Sequence, residues 1–226
     1  MAERKRLIGK DGKVYRGVKG AEVTGNGTKV LTKGAFYVPT AIAATDSGFP
    51  TGVKVGRVFV GDGVSTPKAD DKYIELTLIS QCDVTSASVD FDNDEIDVTT
   101  LCDEIKKYRS GFTDASGSIE GITTLDLTES TISKFVSVQK QDNTGAITTI
   151  EKNDDVLILA LELNKIDNSD ADRAIFFTPA VLNGYNLEVA IEDAQTFTSD
   201  FRIAQDNEIQ PVLVEADKAL FAALGA

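Results

Sequence analysis

Apolar positions recur with a period of two over much of the chain, and that period predicts strands. Ile74, Leu76 and Leu78 alternate with Glu75 and Thr77 across residues 73–80, and Ala87, Val89 and Phe91 share one face of the next run. Such alternation gives a strand one buried and one wet face. After the turn Asn183-Gly184, Tyr185, Leu187, Val189 and Ile191 repeat the pattern against Asn186, Glu188 and Ala190. Phe197, Phe201 and Ile203 then stand opposite Thr196, Thr198, Asp200 and Arg202, residues 174–178 continue the β pattern up to Pro179, and residues 209–214 add a short strand. Residues 156–163 form a continuous apolar run that fits a fully buried strand, although periodicity alone leaves a helix open.

Helical periodicity is sparse. Asp126 followed by Glu129 has the form of a capping box, and Ile132, Phe135 and Val136 recur at helical spacing, which predicts one helix over residues 127–139. Ala216, Leu220, Phe221 and Leu224 predict a short amphipathic helix over residues 216–226. Glycines crowd residues 9–27 with no helical period, so residues 1–27 read as an extended arm with short strand segments. Asn26-Gly27 marks a hairpin turn before the run 29–33, because both residues tolerate positive φ. Between residues 45 and 71, Gly48, Pro50, Gly52, Gly56, Gly61, Gly63 and Pro67 punctuate a β-branched centre, which predicts a long protruding hairpin or loop. The expected fold class is therefore α+β, mainly β: a β-sandwich or curled antiparallel sheet over residues 28–215, with one flanking helix, the protruding loop and terminal arms.

Charge changes this picture at one end. Residues 1–20 hold seven basic residues, Arg4, Lys5 and Arg6 among them, against two acids. The formal net charge of the whole chain is −13, so the remainder carries −18. Such a body repels nucleic acid at long range, while the basic arm is suited to an acidic surface of a neighbouring copy. The N-terminus lacks the apolar run of a secretory signal, and no stretch reaches the ~20 apolar residues of a membrane-spanning helix. Cys82 and Cys102 are too few for a disulfide framework and too isolated for a zinc site, which leaves an intersubunit disulfide as an open alternative to buried or half-exposed thiols.

Candidate chemistry is thin. The chain has no histidine, which removes Ser-His-Asp and Cys-His catalysis and the commonest general base. Asp90, Asp92 and Asp94 open like an EF-hand loop, but Glu95 stands where the glycine belongs and Leu101 where the bidentate glutamate belongs. Asp167, Asp170 and Asp172 fail in the same way. Gly25-Asn26-Gly27 is followed by Val30 where a dinucleotide fingerprint needs glycine or alanine, and no phosphate-binding Gly-Lys-Ser/Thr loop exists. No enzyme activity, cofactor or metal is expected.

Residues 94–121 read DEIDVTTLCDEIKKYRSGFTDASGSIEG. An acidic-Ile-Asp-Val-Thr element, a Lys-Tyr-Arg cluster, Gly-Phe-Thr-Asp and Ser-Gly-Ser-Ile-Glu-Gly follow one another in an order that resembles phage major tail tube proteins. Glu95, Asp97, Thr99, Asp103, Tyr108, Gly111, Asp114, Gly117 and Gly121 carry the resemblance. Read physically, the segment is a polar corner joining strands at residues 84–91 and 118–124. Asp97 and Thr99 would bond the turn backbone, Tyr108 would lay its ring on apolar surface, and the glycines would permit sharp turns or close strand approach.

The resemblance implies a β-sandwich flanked by a helix, assembled edge to edge into six-membered rings that stack into a hollow tube through which DNA passes without sequence-specific binding. Partners would be further copies of the chain and other tail proteins: sheath or terminator, baseplate or tip, and tape measure. It implies a place in the virion tail after synthesis in the host cytoplasm, with no membrane. The loop over 45–71, with Phe49, Val53, Val55, Arg57 and Phe59, and the arm residues Arg4, Lys5 and Arg6 are the expected ring-to-ring contacts. The rival expectation is a non-assembling β-sandwich that binds a receptor or glycan. Such a module would cluster exposed aromatics on its loops, whereas this chain has no tryptophan and 7% aromatic residues.

Overall fold

A computed structural model describes residues 13–81, 83–97, 108–122, 137–150, 156–163, 172–189, 195–204 and 206–217. The chain divides into two compact units, the first from residues 1–82, 154–180 and 204–226, the second from 83–153 and 181–203. Every regular element among the described residues is a strand.

Unit 1 is built on an antiparallel sheet. Its strands are β1 (Val14–Lys19), β2 (Val23–Thr24), β3 (Phe36–Ala41), β4 (Phe59–Val60), β5 (Lys72–Ser80), β10 (Leu157–Leu163), β11 (Asp172–Leu182) and β14 (Val212–Asp217). The order runs β4-β3-β5-β1-β10-β11, with β2 beside β5 and β14 beside β11. The sheet curls until β14 meets β4, where the Gln210 N–H donates to the Gly56 carbonyl at 2.8 Å. Inside the curl, Tyr15, Phe36, Val38, Leu76, Ile158, Ala160, Ile175 and Phe177 form one core, closed by Val58 and Ile209.

β10 is the continuous apolar run, and it lies between β1 and β11 with Ile158, Leu159, Ala160 and Leu161 all buried. Burial on both faces is why no polar alternation interrupts it. The stretch expected as an arm is in part sheet: β1 pairs with β10 on one side and β5 on the other. Gly17 permits this, because a Cβ there would sit 2.9 Å from the Ile158 side chain. Lys19 locks β1 to the segment before β14, donating to both oxygens of Asp206 and to Glu208 at 2.8–3.0 Å. Burial lowers the Lys19 pKa, but these two carboxylates outweigh it and raise the ammonium above its ordinary value.

The loop over 45–71 also differs from expectation. Phe49, Val53 and Phe59 tie it to unit 1, because they are spent on a second core, while Val55 and Val64 stay exposed. Phe49 packs edge-on against Phe59 and Tyr73 at 5.7 and 6.1 Å between ring centres, and Leu31, Tyr37 and Val53 complete the cluster. The fully buried Asp71 carboxylate gathers the loop, accepting from the N–H groups of Ala43, Gly48 and Lys68 and from the Ser47 hydroxyl at 2.8–2.9 Å.

Unit 2 contains β6 (Val84–Asp97), β7 (Tyr108–Ile122), β12 (Asn186–Glu188) and β13 (Thr196–Ile203), with β12 on β13, β13 on β7 and β7 on β6. β8 (Val138–Gln141) and β9 (Ile147–Ile150) form a separate hairpin. Its turn is set by Asp142, whose Oδ1 accepts from the Thr144 and Ala146 N–H groups and the Thr144 hydroxyl.

The helix expected over 127–139 falls outside the described residues apart from its end, where Val138 and Gln139 belong to β8. The expected C-terminal helix likewise lies beyond them, save that Ala216 and Asp217 end β14.

Candidate assembly surface

The described residues that carry the resemblance lie on two long paired strands, β6 and β7. The expected corner is instead a ladder: β6 runs 14 residues and β7 15, and pairing continues through Glu95↔Ser110, Ile96↔Arg109 and Asp97↔Tyr108. Glu95, Asp97, Tyr108, Gly111 and Asp114 are thus strand positions, while Thr99 and Asp103 lie outside the described residues. Gly111 falls where the register shifts between Asn93 and Glu95, the kind of irregularity at which a strand tolerates glycine.

Gly117 and Gly121 lie where neighbouring backbone and rings come close. A Cβ on Gly117 would lie 2.1 Å from the Ser88 carbonyl oxygen and 2.4 Å from the Phe201 ring; one on Gly121 would lie 2.0 Å from the Asp83 oxygen and 2.6 Å from the Phe197 ring. The rings of the two phenylalanines of β13 therefore occupy the space that side chains at these positions would need. Tyr185 stacks on Phe197 at 5.2 Å, and Ser199 donates to the Gly184 carbonyl at 2.7 Å.

Burial falls away across this sheet. The register aligns Ser199, Ile119 and Ala87 in one row and Phe201, Gly117 and Val89 in the next, with Phe91 opposite Ala115. Phe197, Phe201, Ile119 and Ala115 are buried, yet on β6 Ala87 is exposed, Val89 half-buried and Phe91 56% exposed. β6 also pairs only with β7 among the described residues, so its other edge has no described strand beside it. The opposite face is polar: Ser88 and Ser118 hydroxyls meet at 3.0 Å, and Ser86 donates to Glu120 at 3.2 Å. At the far side of β13, β12 leaves Leu187 and Val189 exposed.

The expected stacking residues separate. Phe49, Val53 and Phe59 are core or half-buried members of unit 1, and only Val55 and Arg57 remain on its surface. Arg4, Lys5, Arg6, Cys82 and Cys102 lie outside the described residues. Sequence reasoning identified β6 as a half-buried strand and missed that, among the described residues, it has a strand partner on one side only. The available signal was charge: β6 holds Asp90, Asp92, Asp94, Glu95 and Asp97 with no basic residue, a composition that keeps an exposed edge from pairing indiscriminately. Among the described residues no cluster of three or more His, Cys, Asp or Glu is placed to hold a metal.

Neither a protein-family model nor a curated protein matches the chain. Among solved structures, it is similar to a chain of "Virion of native gene transfer agent (GTA) particle", with 14% identity over 62% of this chain and 88% of that one and a TM-score of 0.38, a partial likeness that bears on no function.

Proposed function

We propose that the chain is a structural subunit of a tailed-phage-like virion, one that self-assembles into six-membered rings stacked as a tail tube. The observation that carries this reading is β6, where an edge with no described strand partner and a partly exposed apolar row coincide on the strand pair bearing the residues of the resemblance. A long bare edge is a hazard in a monomer and is satisfied when copies pair around a closed ring. Two copies of β6 would bring like charges together, so each β6 takes a different strand of its neighbour, and head-to-tail pairing of that kind closes into rings. The polar, acid-rich face of the hairpin and the net charge of −13 would let DNA slide past without adhering. In this reading the chain does no catalysis, and its remaining partners are the sheath or terminator, tip or baseplate and tape measure proteins.

Size-exclusion chromatography and negative-stain electron microscopy of the purified chain test the reading. Rings or tubes with a central channel are expected. A stable monomer at all concentrations would favour the binding-module alternative.

A further inference from the structure

An asparagine or aspartate followed by glycine can react with its own backbone, because glycine has no Cβ to keep the next backbone nitrogen away from the side-chain carbonyl carbon. The described residues hold three such pairs: Asn26-Gly27, Asp62-Gly63 and Asn183-Gly184. Two of them are tied down in the same way, by side-chain turns. Asn26 Oδ1 accepts from the N–H groups of Thr28 and Lys29 and from the Thr28 hydroxyl at 2.8–3.1 Å, and the Gly27 N–H is spent on the Pro67 carbonyl at 2.8 Å. The Asp62 carboxylate accepts from the Val64 and Ser65 N–H groups and the Ser65 hydroxyl at 2.6–2.9 Å.

Asn183-Gly184 is held only through its backbone. The Asn183 N–H donates to the Asp200 carbonyl at 2.8 Å, and the Gly184 carbonyl accepts from the Ser199 hydroxyl at 2.7 Å. The Asn183 carboxamide is exposed and hydrogen-bonds to no described residue, and neither does the Gly184 N–H. Nothing lies within 4 Å of where a Gly184 Cβ would stand, so the carboxamide has room to swing onto the backbone. Asn26 is exposed as well, so hydrogen bonding and not accessibility separates the two asparagines.

We propose that Asn183 is a site of self-catalysed deamidation. The Gly184 nitrogen attacks Asn183 Cγ; the new C–N bond forms, the Cγ–Nδ2 bond breaks, and the amide proton leaves with Nδ2 as ammonia. Water then opens the cyclic imide at either carbonyl, giving an aspartate or a β-linked isoaspartate. Both products add a negative charge to a chain of net charge −13. The isoaspartate also lengthens the turn between β11 and β12 by one backbone carbon. That draws the Gly184 carbonyl from Ser199 and disturbs Tyr185, which stacks on Phe197 at 5.2 Å. The reaction does not rest on the assembly reading.

Peptide mapping by mass spectrometry of the folded chain, aged in neutral buffer, tests the site. The Asn183 peptide should gain the mass of an Asn-to-Asp conversion and split into two chromatographic isomers. Its rate should exceed that of the Asn26 peptide by roughly tenfold or more, because the Asn26 side chain must first break its hydrogen bonds. In urea, with both dipeptides unfolded, the two rates should converge. Gly184→Ala should suppress the conversion at Asn183 while circular dichroism shows the fold unchanged. Equal rates in the folded chain, or conversion of Asn183 only in urea, would overturn the proposal. So would a rate difference that persists in urea, since it would belong to the neighbouring sequence and not to the fold.

Discussion

Asp71→Ala is expected to cost unit 1 about 4 kcal/mol, because it strands three backbone N–H groups and a hydroxyl in a place the carboxylate fully occupies. Asp46 sits at φ 62°, a left-handed conformation unfavourable for a non-glycine residue, inside the stretch that Asp71 gathers. Gly48, whose N–H donates to Asp71, passes so close to Thr66 and Pro67 that no Cβ fits. Losing the carboxylate therefore frees the loop, and with it Phe49 and its aromatic cluster. Asp71→Asn is expected to rescue little, since an amide turns two donors toward a ring of donors. Urea unfolding reads the loss directly.

The same carboxylate gives a signed dependence on pH. Burial alone would raise its pKa, but the N–H groups of Ala43, Gly48 and Lys68 and the Ser47 hydroxyl outweigh burial and hold it below the ordinary aspartate value. A depressed folded-state pKa means the contribution is complete above the unfolded value of about 3.9 and is lost as pH falls through the folded one. Wild-type stability should therefore fall below pH 4 more steeply than that of Asp71→Ala.

Gly117→Ala is expected to cost unit 2 about 3 kcal/mol, and Gly121→Ala a similar amount. Each new methyl meets a backbone oxygen at about 2 Å and a phenylalanine ring on its other side, so strand and ring must both move. Gly184→Ala is the control. Nothing lies within 4 Å of a Cβ there, and the change should stay within about 0.5 kcal/mol. Equal losses at all three positions would mean that glycine acts through backbone entropy alone and that the close approach of β13 to β7 is not what these positions serve.

Alternation was legible where a core lies within the chain. On β5, Ile74 and Leu76 are buried while Glu75 and Thr77 are exposed, and on β13, Phe197 and Phe201 are buried between exposed Thr196, Thr198 and Asp200. The same pattern on β6 and β12 also predicts a buried face, yet Phe91, Leu187 and Val189 stand exposed. Period two records that a face is apolar, not which molecule covers it. That failure is informative, because both faces belong to the unit with the tail-tube-like hairpin.

Other features left little trace. β3 has the sequence FYVPTA, with no alternation and a proline where its register with β5 shifts. The loop over 45–71 looked like an excursion because glycine and proline mark backbone turns whether or not the side chains between them are buried. What returns this loop to the core is Asp71, a single residue whose partners lie up to 28 positions away, and no local pattern reveals it.

The central claim is that the outer edge of β6 is completed by another copy, and amide hydrogen exchange across residues 84–97 tests it most directly. Subunits kept dilute should exchange edge amides of β6 rapidly, and assembled protein should protect them while β10, already paired on both sides, changes little. Assembly that leaves exchange across 84–97 unchanged would contradict the account.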